Sequence, residues 1–163
     1  MNRWEKWSLH FVALLVTGTG LAYFCFKYLL RTKDPFQVIN HPLQPLMLEL
    51  HILAAPPLIF LLGWILRTHI LEQLQSGKRA NRRSGMLALI LFPLMVASGY
   101  GLQIFTQPLL FRATLILHLA TSTLFAVSYL VHQVINLGLA ARKSSRHRRV
   151  RRYGLARWLG RAA

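Results

Sequence analysis

The feature that most constrains this chain is the segregation of its charge. Four long apolar stretches are separated and flanked by segments that carry most of its cations. Lys and Arg number 20 against 4 Asp and Glu, while hydrophobic residues make up 54% of the 163 positions. A water-soluble domain of that composition would distribute its charges along its helices. Blocks of cations between uncharged runs are instead what a chain shows when lipid solvates its middle and water its ends. The length suits a single domain.

Each apolar stretch is long enough to cross about 30 Å of hydrocarbon as an α-helix. The expected spans are about residues 7–30, 45–66, 84–105 and 110–139, with room for a cytoplasmic extension of the second through Gln75. Pro56, Pro57 and Pro93 fall inside spans, where kinks are expected. The first stretch is too long for a signal-peptide core, and its small residues, Thr17 to Gly20, sit in its middle rather than at its end; it is expected to be a retained helix.

Orientation follows from the cations. The N-terminus (Arg3, Lys6), the second connection (Arg67, Lys78, Arg79, Arg82, Arg83) and the tail from Arg142 to Arg161 hold 16 of them. The first and third connections hold 4: Lys27, Arg31, Lys33 and Arg112. The positive-inside rule puts the larger group in the cytoplasm, and short connections favour antiparallel neighbours. The expected fold is an all-α, integral membrane, up-down-up-down four-helix bundle over residues 1–140, with both termini cytoplasmic and a basic tail at 141–163. That tail is expected to sit against anionic lipid headgroups, with Trp158 and Leu159 at the interface, and no nucleic-acid partner is expected. No internal repeat stands out.

A single cysteine, Cys25, excludes a disulfide framework and the spacings of iron–sulfur or zinc sites, and there is no C-x-x-C-H haem-attachment motif. Chemistry therefore falls to the seven histidines. His41 and His147 have ordinary surface explanations. His10, His51, His69, His118 and His132 lie within or at the ends of the spans, where ionisable side chains are functional candidates by default.

His118 and His132 are fourteen residues apart on the fourth helix, which returns them to within about 40° of one direction and separates them by about 21 Å along the axis. One then lies in each leaflet. His51, early in the second helix, has the depth of His118, and His10, early in the first, has the depth of His132. Two imidazole pairs, His51/His118 outside and His10/His132 inside, suit low-spin six-coordinate haem iron, which leaves electron transfer as the chemistry. His69 shares the face of His51 at the cytoplasmic rim and is an alternative partner for His132. A lone histidine in a membrane helix is as readily an interhelical hydrogen-bond partner, worth about 0.6–2 kcal/mol; the haem expectation rests on the four matching in depth. Glu49, the one acid in the outer halves of the spans, is too few for a di-metal carboxylate site. Gly18, Gly20, Ala54, Ala55, Gly99 and Gly101 would admit a flat macrocycle or serve ordinary helix packing. Arg31 and Arg112 outside and Arg82 inside are candidate partners for haem propionates.

The stretches RWEKWSLHFVALLVTGTGLAY and RRSGMLALILFPLMVASGYGL, His51 early in the second span, and the His118/His132 spacing together resemble the four-helix cytochrome b subunits of the bacterial b561-like group, over roughly residues 3–140. That group includes the membrane subunits of formate dehydrogenase and nickel–iron hydrogenase. The resemblance implies two haem b groups, one between helices two and four and one between helices one and four. It also implies a quinone site near the cytoplasmic haem, in the neighbourhood of His132, His69 and Asn81. The entry departs from the W-x-H-W of many members, since Trp7 precedes His10 by three. The function expected is that of a quinone-linked electron-transfer subunit of the bacterial inner membrane, with a periplasmic redox partner that the outer segment RTKDPFQVINHPLQP would either dock or leave to a haem-capping role. A haem-free membrane scaffold or assembly factor is the alternative. No catalytic acid, base or nucleophile constellation marks the chain as an enzyme acting alone.

Overall fold

The computed structural model describes residues 2–30, 39–66 and 82–159, with the backbone alone at 82–84 and 140–159. Its elements are all helical: α1 (Arg3–Phe24) with a π-helical turn (Cys25–Leu29), α2 (Gln44–Ile65), α3 (Arg82–Ile104) and α4 (Pro108–Leu159). Four segments are long and apolar enough to cross a membrane: Arg3–Leu29, Gln44–Ile65, Gly85–Ile104 and Pro108–Leu139. They coincide with the four expected spans to within a few residues. The chain divides into two compact units, Met1–Lys78 and Arg79–Ala163. The physical reason is that each unit is a helix pair that packs along its own seam.

In the first unit, a capping box starts α1. The Asn2 side chain accepts from the Glu5 backbone N–H, and the Glu5 carboxylate accepts from the Asn2 N–H, both at 2.8 Å. Two of the orphan donors of the first turn are thereby satisfied. At the other end the helix widens into the π turn, closed by Leu30 N–H donating to the Cys25 carbonyl at 3.0 Å. Lys27 there reaches the Tyr23 hydroxyl at 2.9 Å, and its backbone carbonyl accepts from the Asn40 side chain at 2.9 Å. Leu9, Ala13, Val16 and Thr19 of α1 and Ala54, Leu58 and Ile65 of α2 are buried, at the three-to-four-residue steps of one helical face. Contacts run antiparallel: Trp64 to Glu5, His51 to Val16, Asn40 to Lys27. Pro56 and Pro57 lie inside α2, which runs unbroken past them.

In the second unit, α4 meets α3 along a seam of Thr114, His118, Thr121, Phe125, Ser128 and His132, at alternating steps of four and three. Thr114, Thr121, Phe125 and Ser128 are buried, and the two histidines half-buried. This is the heptad seam of left-handed helix packing. Fourteen residues are two heptads, so His118 and His132 occupy the same edge of α4. Phe92 packs on Phe125 with ring centroids 5.8 Å apart, between the two histidine levels. Small polar residues, Ser98, Thr114, Thr121 and Ser128, are buried beside Leu91 and Phe125, while Ile116, Leu130, Val134 and Leu137 are exposed. That inversion is typical of helices whose outer faces meet lipid.

α4 does not stop where the apolar span does. Its backbone stays helical for 52 residues, about 78 Å, so the basic segment after Leu139 prolongs the fourth helix through Leu159. Gly138 lies at the hydrophobic boundary but stays within the helix, and Ala140-Ala141-Arg142-Lys143 after it are all good helix formers.

Candidate haem-ligand histidines

Three of the four candidate ligands share one environment. His51 on α2 places Nδ1 2.9 Å from the backbone carbonyl of Val16 on α1. That carbonyl lies four residues before Gly20, and the absence of a side chain at Gly20 is what lets the ring in. A Cβ there would lie 2.8 Å from Cε1 and 2.9 Å from Nδ1 of His51. His118 on α4 repeats the arrangement on α3. Its Nδ1 is 3.1 Å from the carbonyl of Met95, four residues before Gly99, and a Cβ at Gly99 would meet its Cε1 at 3.2 Å. His132 presents the same ring edge to Gly85, where a Cβ would lie 3.4 Å from its Cε1 and 3.5 Å from its Nδ1. The step from Gly85 to Gly99 along α3 equals that from His118 to His132 along α4, so both histidines meet their glycines in one antiparallel register.

A hydroxyl residue precedes each of these glycines. Thr19 is buried and donates to the carbonyls of Leu15 at 2.7 Å and Val16 at 3.2 Å. Ser98 is buried and donates to the carbonyls of Leu94 at 2.7 Å and Met95 at 3.0 Å. Such back-bonding bends a helix slightly and keeps the hydroxyl off the neighbouring helix. Ser84 precedes Gly85 in the sequence.

This geometry sets a tautomer. A backbone carbonyl only accepts, so Nδ1 of His51 and of His118 carries the proton, and the neutral ring keeps its lone pair on Nε2. Ser98 adds to this at His118: its Oγ lies 3.3 Å from Nδ1, and its one hydrogen is directed to the carbonyls of its own helix, so toward His118 it accepts. Histidines that bind metal through Nε2 commonly donate their other N–H to a carbonyl or carboxylate in this way, which fixes the ring and raises its basicity. His41 shows the opposite arrangement. It stacks on Phe26 with centroids 4.1 Å apart, and its Nδ1 accepts from the Leu43 N–H at 3.1 Å, so its proton is on Nε2.

His10 is half-buried on α1, one turn after Trp7, whose ring meets it edge-on with centroids 6.1 Å apart. His10 and His51 belong to the first unit and His118 and His132 to the second. Arg112 is exposed near the start of α4. Arg82 is placed by its backbone in α3, while Arg31, His69 and Asn81 lie outside the described residues. Of the small residues singled out in the sequence, Gly20 and Gly99 face histidines. Gly18 faces open space, and Gly101 packs against Thr114 and Phe105. Among the described residues no three His, Cys, Asp or Glu side chains gather as a metal cluster. A bis-imidazole iron needs two protein ligands, the macrocycle supplying the rest.

The hydroxyl–glycine pairs are what the sequence reading missed, together with the short internal repeat they belong to: Val16-x-x-Thr19-Gly20 in one unit and Met95-x-x-Ser98-Gly99 in the other. The available signal was the fourteen-residue interval between Ser84-Gly85 and Ser98-Gly99, the same as that between the histidines. No family model matches this sequence, and neither the curated proteins nor the solved structures yield a match.

Proposed function

We propose that the chain is a dihaem b-type cytochrome subunit of the bacterial inner membrane, passing electrons between the quinone pool and a periplasmic redox partner. His51 and His118 hold one haem iron in the outer leaflet, and His10 and His132 hold the second toward the cytoplasm, in an up-down-up-down bundle with both termini inside. The observation that supports this reading is the pair of Nδ1–carbonyl bonds, His51 to Val16 and His118 to Met95, the arrangement common among histidines that bind metal through Nε2. Haem, when bound, would supply a one-electron carrier at these histidines. The chain's part is to hold each ring in one orientation between apolar walls. Arg31, Arg112 and Arg82 are the cations proposed for the propionates, and His69 and Asn81 for the quinone neighbourhood.

The Nδ1 bonds also favour a second reading, because each is itself an interhelical hydrogen bond of the kind that joins membrane helices. A haem-free scaffold would use them so. The test is the purified full chain from cells supplied with haem. A cytochrome shows a reduced-minus-oxidised difference spectrum of b haem at two haems per chain. A folded, colourless protein belongs to the scaffold.

A further inference from the structure

The same local device occurs at three places: a glycine on one helix and a histidine ring edge against it from the antiparallel neighbour, with a hydroxyl residue just before the glycine. In an ordinary helix the side chain at each position shields the carbonyl one turn back. That carbonyl already accepts its intrahelical N–H but has a second lone pair. Gly20 and Gly99 remove the shield over Val16 and Met95, and His51 and His118 approach these carbonyls at 2.9 and 3.1 Å, sharing them with the longer arm of the Thr19 and Ser98 hydroxyl bonds at 3.2 and 3.0 Å. Thr19 and Ser98 satisfy their own hydroxyls within the helix, so neither competes as a donor for the ring nitrogen. Glycine is a poor helix former compared with alanine, and three glycines inside apolar helices would not be placed for helix stability.

We infer that Gly20 and Gly99, aided at the second site by Ser98, are positioning residues that set the tautomer and orientation of the His51 and His118 imidazoles, whereas Gly85 meets the His132 ring at ordinary contact distance and serves as the comparison. For its consequence, ligand preorganisation, this rests on the haem reading; for its geometry it does not. The clearances rank the three seats. A methyl group cannot be added at Gly20 without displacing the His51 ring, at 2.8 Å. At Gly99 the ring must give by a few tenths of an ångström, at 3.2 Å. At Gly85 a methyl fits at ordinary contact distance, 3.4 Å. Gly18, two residues from Gly20 with nothing within 4 Å, gains the same helix propensity from alanine and touches no ring.

The experiment is nitrogen-15 NMR of histidine-labelled full chain in lipid nanodiscs, before and after haem is supplied, with Gly20→Ala, Gly99→Ala, Gly85→Ala and Gly18→Ala. Without haem, His51 and His118 in the native chain show a protonated Nδ1. Gly20→Ala shifts the His51 tautomer ratio by about fivefold to tenfold, the equivalent of one net hydrogen bond. Gly99→Ala shifts that of His118 by less, and Gly85→Ala and Gly18→Ala leave the spectrum unchanged. If Gly20→Ala fails to assemble, Gly99→Ala carries the test alone. The inference is overturned if neither ring responds to alanine in its own seat, or if Gly18→Ala moves His51 as far as Gly20→Ala does. The two proposals separate cleanly: seated tautomers in a chain that never takes up haem defeat the cytochrome reading alone, and haem uptake with tautomers indifferent to the seats defeats the seats alone.

Discussion

The imidazole of His118 lies edge-on against Gly99 of the neighbouring helix, its Nδ1 3.1 Å from the Met95 carbonyl. The relationship ties a functional candidate to a backbone position that no side-chain chemistry would reveal. It also makes the ring's protonation pattern a consequence of helix packing, since the carbonyl that receives the proton is exposed only where a glycine follows it one turn later.

Filling the seat with a larger group tests that coupling. Gly99→Leu drives several atoms into the space of the His118 ring and is expected to cost about 1–3 kcal/mol, the usual range for overpacking. Thermal unfolding followed by far-ultraviolet circular dichroism, alongside haem content, measures both effects. Full haem loading with unchanged unfolding would show that His118 does not depend on the Gly99 surface.

Removing ligands singly separates the two proposed haems. His51→Ala and His10→Ala are each expected to lower haem content by about half, with the surviving haem still low-spin, because each iron draws on a different pair. The measurement is the haem-to-protein ratio of each purified variant. A single-haem protein would instead leave one of the two variants at the native ratio.

Ser98→Ala deletes one acceptor at Nδ1 of His118 and leaves the Met95 carbonyl in place. The expected cost is small, about 0.5–1.5 kcal/mol, and haem should be retained. Equilibrium unfolding of the variant in detergent checks the size of the change; complete loss of folding would mean that Ser98 supports more than the ring.

Much of the fold was legible because lipid imposes strong rules. The four spans follow from run length and the charge blocks from solvation, and both survive any detail of packing. The end of α4 was not legible in the same way. Apolarity stops near Leu139 and Gly138 lies there, but the helix continues, since Ala140 to Lys143 propagate it. At the candidate site, depth and spacing singled out His10, His51, His118 and His132, of which the last three lie against glycines. Their glycine seats were hidden because a glycine in a membrane helix ordinarily signifies close packing, and only the antiparallel register of each helix pair shows which glycine meets which histidine.

The capping box offers a check on α1 independent of any cofactor. Asn2→Ala removes the side-chain acceptor for the Glu5 N–H, 2.8 Å away, and is expected to destabilise the helix start by about 1 kcal/mol. Hydrogen exchange at the first turn of α1 should rise several-fold, with the rest of the helix unaffected. Unchanged protection there would contradict the cap.

The central claim is that imidazoles supply both axial ligands of iron in this membrane protein. The most direct measurement is low-temperature electron paramagnetic resonance combined with near-infrared magnetic circular dichroism of the oxidised full chain. The account predicts low-spin ferric haem with bis-histidine ligation at both sites. A high-spin signal, a methionine or thiolate axial ligand, or no haem at all in protein assembled with ample haem would contradict it.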